Sequence, residues 1–89
     1  FIEGMSEYLK IHTDGRQKPV IVLLSMKKLE DRLPKSKFMR VHRSFIINLS
    51  KIQEVIKNRV IMDEDTNIPV GNLYKDTFNN YIESKFMGK

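Results

Sequence analysis

Positions 38–48 read Phe-Met-Arg-Val-His-Arg-Ser-Phe-Ile-Ile-Asn, an apolar strand pattern interrupted at His42, Arg43 and Ser44. Successive side chains of an extended chain alternate between faces, so Met39, Val41, Phe45 and Ile47 share one face, and Arg43 falls on it too. A guanidinium left unpaired in a core is too costly to keep, so the strand must bend or end there. Ser44 is then placed to cap a short turn through residues 45–48. Such a corner holds a planar five-donor cation, an imidazole and a hydroxyl on one rigid support. That set suits gripping phosphates and base edges.

The rest of the chain follows the pattern of a small, mostly antiparallel β-domain. Residues 8–12 alternate weakly, and Asp14-Gly15 marks a turn within residues 13–19. The run Val-Ile-Val-Leu-Leu at 20–24 predicts a central strand buried on both faces. Ser25 is placed to cap a short helix with Met26, Leu29 and Leu33 on one face, stopped by Pro34. Residues 38–41 form the next strand. Residues 52–56 and 60–62 flank a tight turn at Lys57-Asn58, where Asn58 suits the left-handed conformation. A second turn at 63–66 leads into a strand at 67–70, making a β-meander. From Asn72 or Leu73 onward, Tyr74, Phe78, Tyr81, Ile82 and Phe86 follow a helical period, which predicts a C-terminal amphipathic helix.

The expected fold is therefore mainly β: small antiparallel β-sheets with two short helices. A long β-stretch separates those helices, so they do not form a helix-turn-helix pair. No repeat or linker divides the 89 residues, and residues 1–89 read as a single domain. A domain of this size buries only about 60% of its unfolded surface. The chain opens on Phe1-Ile2-Glu3, without Met and at what reads as the end of a strand, which points to a fragment of a longer protein.

Charge narrows the partner. The net charge is +5, and residues 27–43 alone account for it, with seven basic side chains (Lys27, Lys28, Arg32, Lys35, Lys37, Arg40, Arg43) against Glu30 and Asp31. A concentrated positive field is the footprint of a polyanion partner. The absence of Cys removes disulfides, thiolate metal sites and a Cys nucleophile, and fits a reducing compartment, the cytoplasm. No apolar run reaches the roughly 18 residues of a membrane span.

Catalytic and metal chemistry find little support. His12 and His42 stand 30 residues apart without a matching acidic or Cys cluster, so no metal site is expected and His12 reads as a structural histidine. Ser44 and His42 lack a nearby orienting carboxylate and elbow glycines, which argues against an activated nucleophile. Asp63-Glu64-Asp65 lacks the spacing and the Gly of a calcium loop and reads as an exposed acidic turn. No Gly-rich phosphate loop occurs, and no cofactor is expected. The aromatics follow core positions instead of forming a stacking platform, which favours duplex over single-stranded nucleic acid.

The motif at 38–48, followed by Ile52, closely resembles the signature of the LytTR DNA-binding domain. Ile2-Glu3-Gly4 with Tyr8-Leu-Lys-Ile11 resembles that family's first strand pair, residues 25–34 its short helix, and Ile68-Pro69-Val70 with Tyr74 its final strand-to-helix corner. The resemblance implies a C-terminal output domain of a bacterial two-component response regulator, with a receiver domain upstream. It implies transcription regulation through loops inserted into successive major grooves of double-stranded DNA, and a homodimer on direct-repeat promoter sites.

By position, the resemblance assigns three loops to DNA. The first, residues 5–8, brings Ser6, Glu7 and Tyr8; the second is the His42-Arg43-Ser44 corner; the third, residues 71–75, brings Asn72 and Lys75. Arg43 is the first choice for base readout, because a guanidinium bonds both major-groove acceptors of guanine at once. Arg40, His42 and Ser44 are assigned to phosphates. Lys75, beside a helix N-terminus, makes a phosphate clamp. Two departures stand out. After Ile-Pro-Val the family often has Ser followed by Arg, where this chain has Gly71-Asn72-Leu73, leaving Asn72 to read adenine. Glu7 brings a negative charge to the first loop, where it can accept from a cytosine amino group or point to solvent. The competing reading from a different class is a protein-interaction module that uses an exposed strand edge and the basic surface.

Overall fold

The computed structural model describes residues 1–13 and 18–87. In chain order these form β1 (Ile2–Gly4), β2 (Leu9–Ile11), β3 (Val20–Val22), α1 (Met26–Arg32), β4 (Phe38–His42) and β5 (Phe45–Asn48). A 3-10 turn (Leu49–Lys51) leads to β6 (Glu54–Ile56), β7 (Arg59–Asp63) and β8 (Thr66–Pro69). A second 3-10 turn (Asn72–Tyr74) runs into α2 (Lys75–Ile82), which continues as a π-helical segment, Glu83–Met87. The turn expected at Asp14-Gly15 lies outside the described residues.

Two antiparallel sheets result. One has five strands in the order β3-β2-β1-β5-β4; the other is the β6-β7-β8 meander read from the sequence. The five-stranded sheet is the middle layer. On one face Ile2, Leu9 and Ile46 pack with Met26, Leu29 and Leu33 of the α1 segment. On the other, Val41 and Ile47 pack with Val60, Met62, Ile68 and Val70 of the second sheet and Phe78 of α2. Consecutive residues Ile46 and Ile47 are thus both buried, against different layers. A strand covered on both faces needs a continuous apolar run, and Phe-Ile-Ile supplies it.

Several expectations need correction. Residues 45–48 are a strand, not a turn capped by Ser44: the polar interruption is a hairpin turn whose second strand returns beside the first. The cap lies one element later, where Asn48 Oδ1 accepts the Ser50 N–H at 3.0 Å and opens the 3-10 turn. Residues 20–22 form an edge strand instead of a central one, with Val20 and Ile21 each about half exposed (52% and 54%). A short apolar run does not state how many strands will lie beside it. In the β6–β7 turn the positive φ (55°) belongs to Lys57, not Asn58. The strand before that turn starts at Glu54, later than the expected residue 52. Phe86, read as part of the apolar helical stripe, is 63% exposed, because the helix widens into π geometry after Ile82 and its register drifts. The first helix forms as read: Ser25 Oγ accepts the Lys28 N–H at 3.1 Å.

Candidate nucleic-acid interface

The hairpin β4–β5 sets the geometry. Between the pairs Arg40↔Ile46 and His42↔Phe45, β4 advances two residues while β5 advances one, so β4 carries a bulge at Val41. A bulge takes its residue out of the ladder and re-aims the strand end. The Val41 carbonyl instead accepts the Gly71 N–H at 2.8 Å, fixing the third loop to the end of β4. On the other side of the hairpin, the Gly4 N–H donates to the Ser44 carbonyl at 2.7 Å. The first loop is thereby fixed to the same turn, closed by a bond from the Met5 N–H to the Tyr8 carbonyl at 2.8 Å. Three loops distant in sequence meet at one end of the molecule.

One of these attachments depends on a small residue. A Cβ at Gly4 would lie 3.0 Å from Met26 Cγ and 3.7 Å from Ser44 Cα, so the glycine lets helix α1 and the turn close on the strand. Gly71 has an ordinary extended conformation (φ −73°), and a Cβ there would meet His42 and Tyr74 at normal contact distance, 3.4–3.6 Å. The backbone therefore does not require glycine at 71, and a larger residue fits.

Within the turn, Arg43 is exposed, and its guanidinium forms no hydrogen bond or ion pair among the described residues. The conflict seen in the sequence is resolved by reversing the chain, which carries this side chain off the core face. His42 lies half-buried against Phe45, ring centroids 5.3 Å apart, and its Nδ1 accepts the Ser44 N–H at 3.0 Å. With Nδ1 as acceptor, the proton of the neutral ring sits on Nε2, which is left as a donor.

Arg40 is differently employed. Its Nη2 donates to the Arg43 carbonyl at 2.6 Å and its Nε to the His42 carbonyl at 3.4 Å. Nη1 meets Glu30 of α1 at 3.4 Å, and the guanidinium lies 5.9 Å from the centre of the Tyr74 ring. One cation thus ties together the turn, helix α1 and the third loop. Sequence reasoning grouped Arg40 with phosphate contacts and missed this bracing role. It also missed Gly4, Gly71 and Tyr74 as the joints between loops. Even spacing alone would put Arg40 and His42 on one face, but the register shift between them pairs Arg40 with Ile46 and His42 with Phe45, on opposite faces of the sheet.

At the loop tips, Ser6, Glu7 and Asn72 are exposed, while Tyr8 and Lys75 are half-buried. Lys75 is the first residue of α2. The basic segment is partly neutralised internally, by Lys27–Asp31 at 3.3 Å and Arg40–Glu30 at 3.4 Å. Lys28, Arg32, Lys35, Lys37 and Arg43 remain as exposed cations. His12, by contrast, is structural: its Nε2 lies 3.2 Å from Glu3 Oε1 and its ring stacks on Phe1 at 4.2 Å. In the acidic turn, Asp63 Oδ1 accepts the Asp65 N–H at 2.8 Å, and this bond and the Thr66 side chain hold its carboxyl below the usual aspartate range. No group of three or more metal-binding side chains occurs among the described residues.

The sequence model of the LytTr DNA-binding domain matches residues 1–83. A sensory transduction protein LytT from Bacillus anthracis is 43% identical over 51 residues, covering 52% of this chain and 21% of that protein. Its counterpart from Bacillus cereus matches with the same identity and coverage. The chain thus matches about a fifth of the length of these relatives. Among solved structures, the LytTr DNA-binding domain of a putative methyl-accepting/DNA response regulator from Bacillus cereus superposes with a TM-score of 0.78. It covers 91% of this chain and 77% of that one at 24% identity, a likeness of fold.

Proposed function

The chain belongs to the LytTr DNA-binding domain family, and on that premise we propose that it reads duplex DNA with its three joined loops. The function is transcription regulation, as the output domain of a two-component response regulator in the cytoplasm. The observation that carries this reading is the pair of main-chain bonds, Gly4 to Ser44 and Gly71 to Val41, that fixes loops from three parts of the chain to one end. Loops held this way present their side chains to adjacent stretches of a groove without paying for ordering on binding.

Within that end the roles divide by exposure and partners. Arg43, unpaired and exposed, is the base reader, bonding the O6 and N7 acceptors of guanine. His42 Nε2–H, the Ser44 hydroxyl and Lys75 contact phosphates and set register. Ser6, Glu7 and Tyr8 form the first loop's contact, with Glu7 accepting from a cytosine amino group. Arg40 acts on DNA through the turn it holds. The protein binds as a homodimer on direct repeats, with a receiver domain controlling assembly.

The test is selection of bound duplexes from a random library. The expected result is an imperfect direct repeat with half-sites about one helical turn apart. Recovery of unenriched sequence would overturn the proposal. A second reading is favoured by one feature, the open edge of β3 with Val20 and Ile21 exposed, where another chain can add a strand. Pull-down that survives high salt and ignores DNA supports that alternative.

A further inference from the structure

Leu73 is 93% exposed, the most exposed large apolar side chain among the described residues. It sits in the third loop, in the 3-10 turn Asn72–Tyr74 that precedes α2. Residues in a 3-10 turn step by about 120°, so three consecutive side chains point in three directions. Tyr74 takes the inward one, packed against the core and facing the Arg40 guanidinium. Asn72 and Leu73 are left facing outward. Leu73 touches the fold only at the rim of a groove it shares with Leu33, Phe38 and Met39, and stays almost fully exposed. Yet the loop that displays it is fixed to the end of β4 beside Arg43 through the Gly71–Val41 bond.

We infer that Asn72 and Leu73 together read an adenine–thymine step, with Leu73 covering the C5-methyl of a thymine in the major groove. This inference rests on the DNA-binding reading above and deepens it. The chemistry selects the partner. Among the major-groove edges of the four base pairs, the thymine methyl is the one bulky apolar group; cytosine shows only a bare C–H there, and the rest are hydrogen-bond donors and acceptors. A leucine at a reading loop gains nothing against guanine O6 or cytosine N4 and loses their hydration. The neighbouring Asn72 amide offers a donor and an acceptor in the spacing that matches adenine N7 and N6. An arginine at 72 would select guanine instead. The third loop here is apolar and amide-bearing, which favours A·T over G·C. Arg43 keeps its guanine, so the composite site combines a guanine with an adjacent A·T step.

The experiment uses the duplex most enriched by the protein from a random library. Each thymine is replaced in turn by deoxyuridine, which removes the methyl group and leaves base pairing intact. One thymine should emerge whose replacement weakens binding about fourfold, the value of one buried methyl. In Leu73→Ala that sensitivity should vanish, while the guanine preference assigned to Arg43 stays. Asn72→Ala should flatten the preference for A·T over G·C at the same step. If no thymine shows the effect, or if Leu73→Ala retains it, the inference is wrong although DNA binding stands. If Leu73→Ala binds every duplex like the parent, Leu73 touches no base and the inference again falls. Failure to enrich any duplex would overturn the DNA-binding reading itself.

Discussion

The guanidinium of Arg40 donates to the main-chain carbonyl of Arg43 at 2.6 Å, so one arginine holds the turn that displays another. The two are three residues apart and do different work. Arg40 is 19% exposed and engaged on all sides; Arg43 is exposed and unengaged.

Replacing Arg40 should therefore act first on the protein. Arg40→Ala removes charge-assisted bonds to two turn carbonyls and leaves Glu30 without its cation, a loss of about 1–2 kcal/mol in unfolding free energy. Arg40→Lys should not restore it, since a point charge lacks the fork that reaches both carbonyls. Denaturant unfolding and faster amide exchange at Ser44 check this; unchanged exchange at Ser44 would show that the turn stands without its brace.

Arg43→Ala should have the opposite profile. Stability should stay within about 0.5 kcal/mol, as for exposed surface positions. Affinity for the selected duplex should fall by roughly 1–3 kcal/mol, with preference relaxed at one base pair. Titrations at fixed salt against single-base variants measure both, and retained preference at every position would remove Arg43 from base readout.

Lys75→Ala should weaken all duplexes alike. One phosphate contact fewer lowers the slope of log K against log salt by about 1. A change confined to one sequence would mean that Lys75 reads a base.

Asp63 predicts an acid effect remote from the interface. The Asp65 N–H, followed by the Thr66 hydroxyl, stabilises its ionised form and lowers its pKa below the ordinary 3.8. A group whose folded pKa is depressed contributes stability above the unfolded value and loses it as pH falls through the folded one. The β7–β8 turn should stay closed at neutral pH and loosen only in strong acid. Carboxyl NMR should give a midpoint below 3.8 for Asp63, with the Asp65 amide shifting in step. A midpoint at or above 3.8 would mean that these bonds do not hold the turn.

Much of the fold was legible because local signals agree with it. Ser25 and Pro34 bound the first helix, closely spaced turn residues made the meander, and the period of Tyr74, Phe78 and Ile82 gave the last helix. What misled was any short apolar run judged by itself. Residues 20–22 and 45–48 are both apolar and β-rich, yet one is a half-exposed edge and the other lies between β1 and β4 with Ile46 and Ile47 buried. Strand order separates them, and strand order is a long-range property.

The sequence by itself determined the parts of the candidate interface: a charged corner in an apolar strand, a basic segment, a family motif and the Gly-Asn-Leu after Val70. These are local choices of residue, visible as departures from burial and period. Only the tertiary structure decided how the parts are joined. The bulge at Val41 offers a carbonyl to Gly71, Gly4 reaches Ser44, and Arg40 turns inward while Arg43 faces out. Each of these depends on which backbone groups the sheet leaves unpaired, and that is settled when the strands, distant in sequence, take their places beside one another.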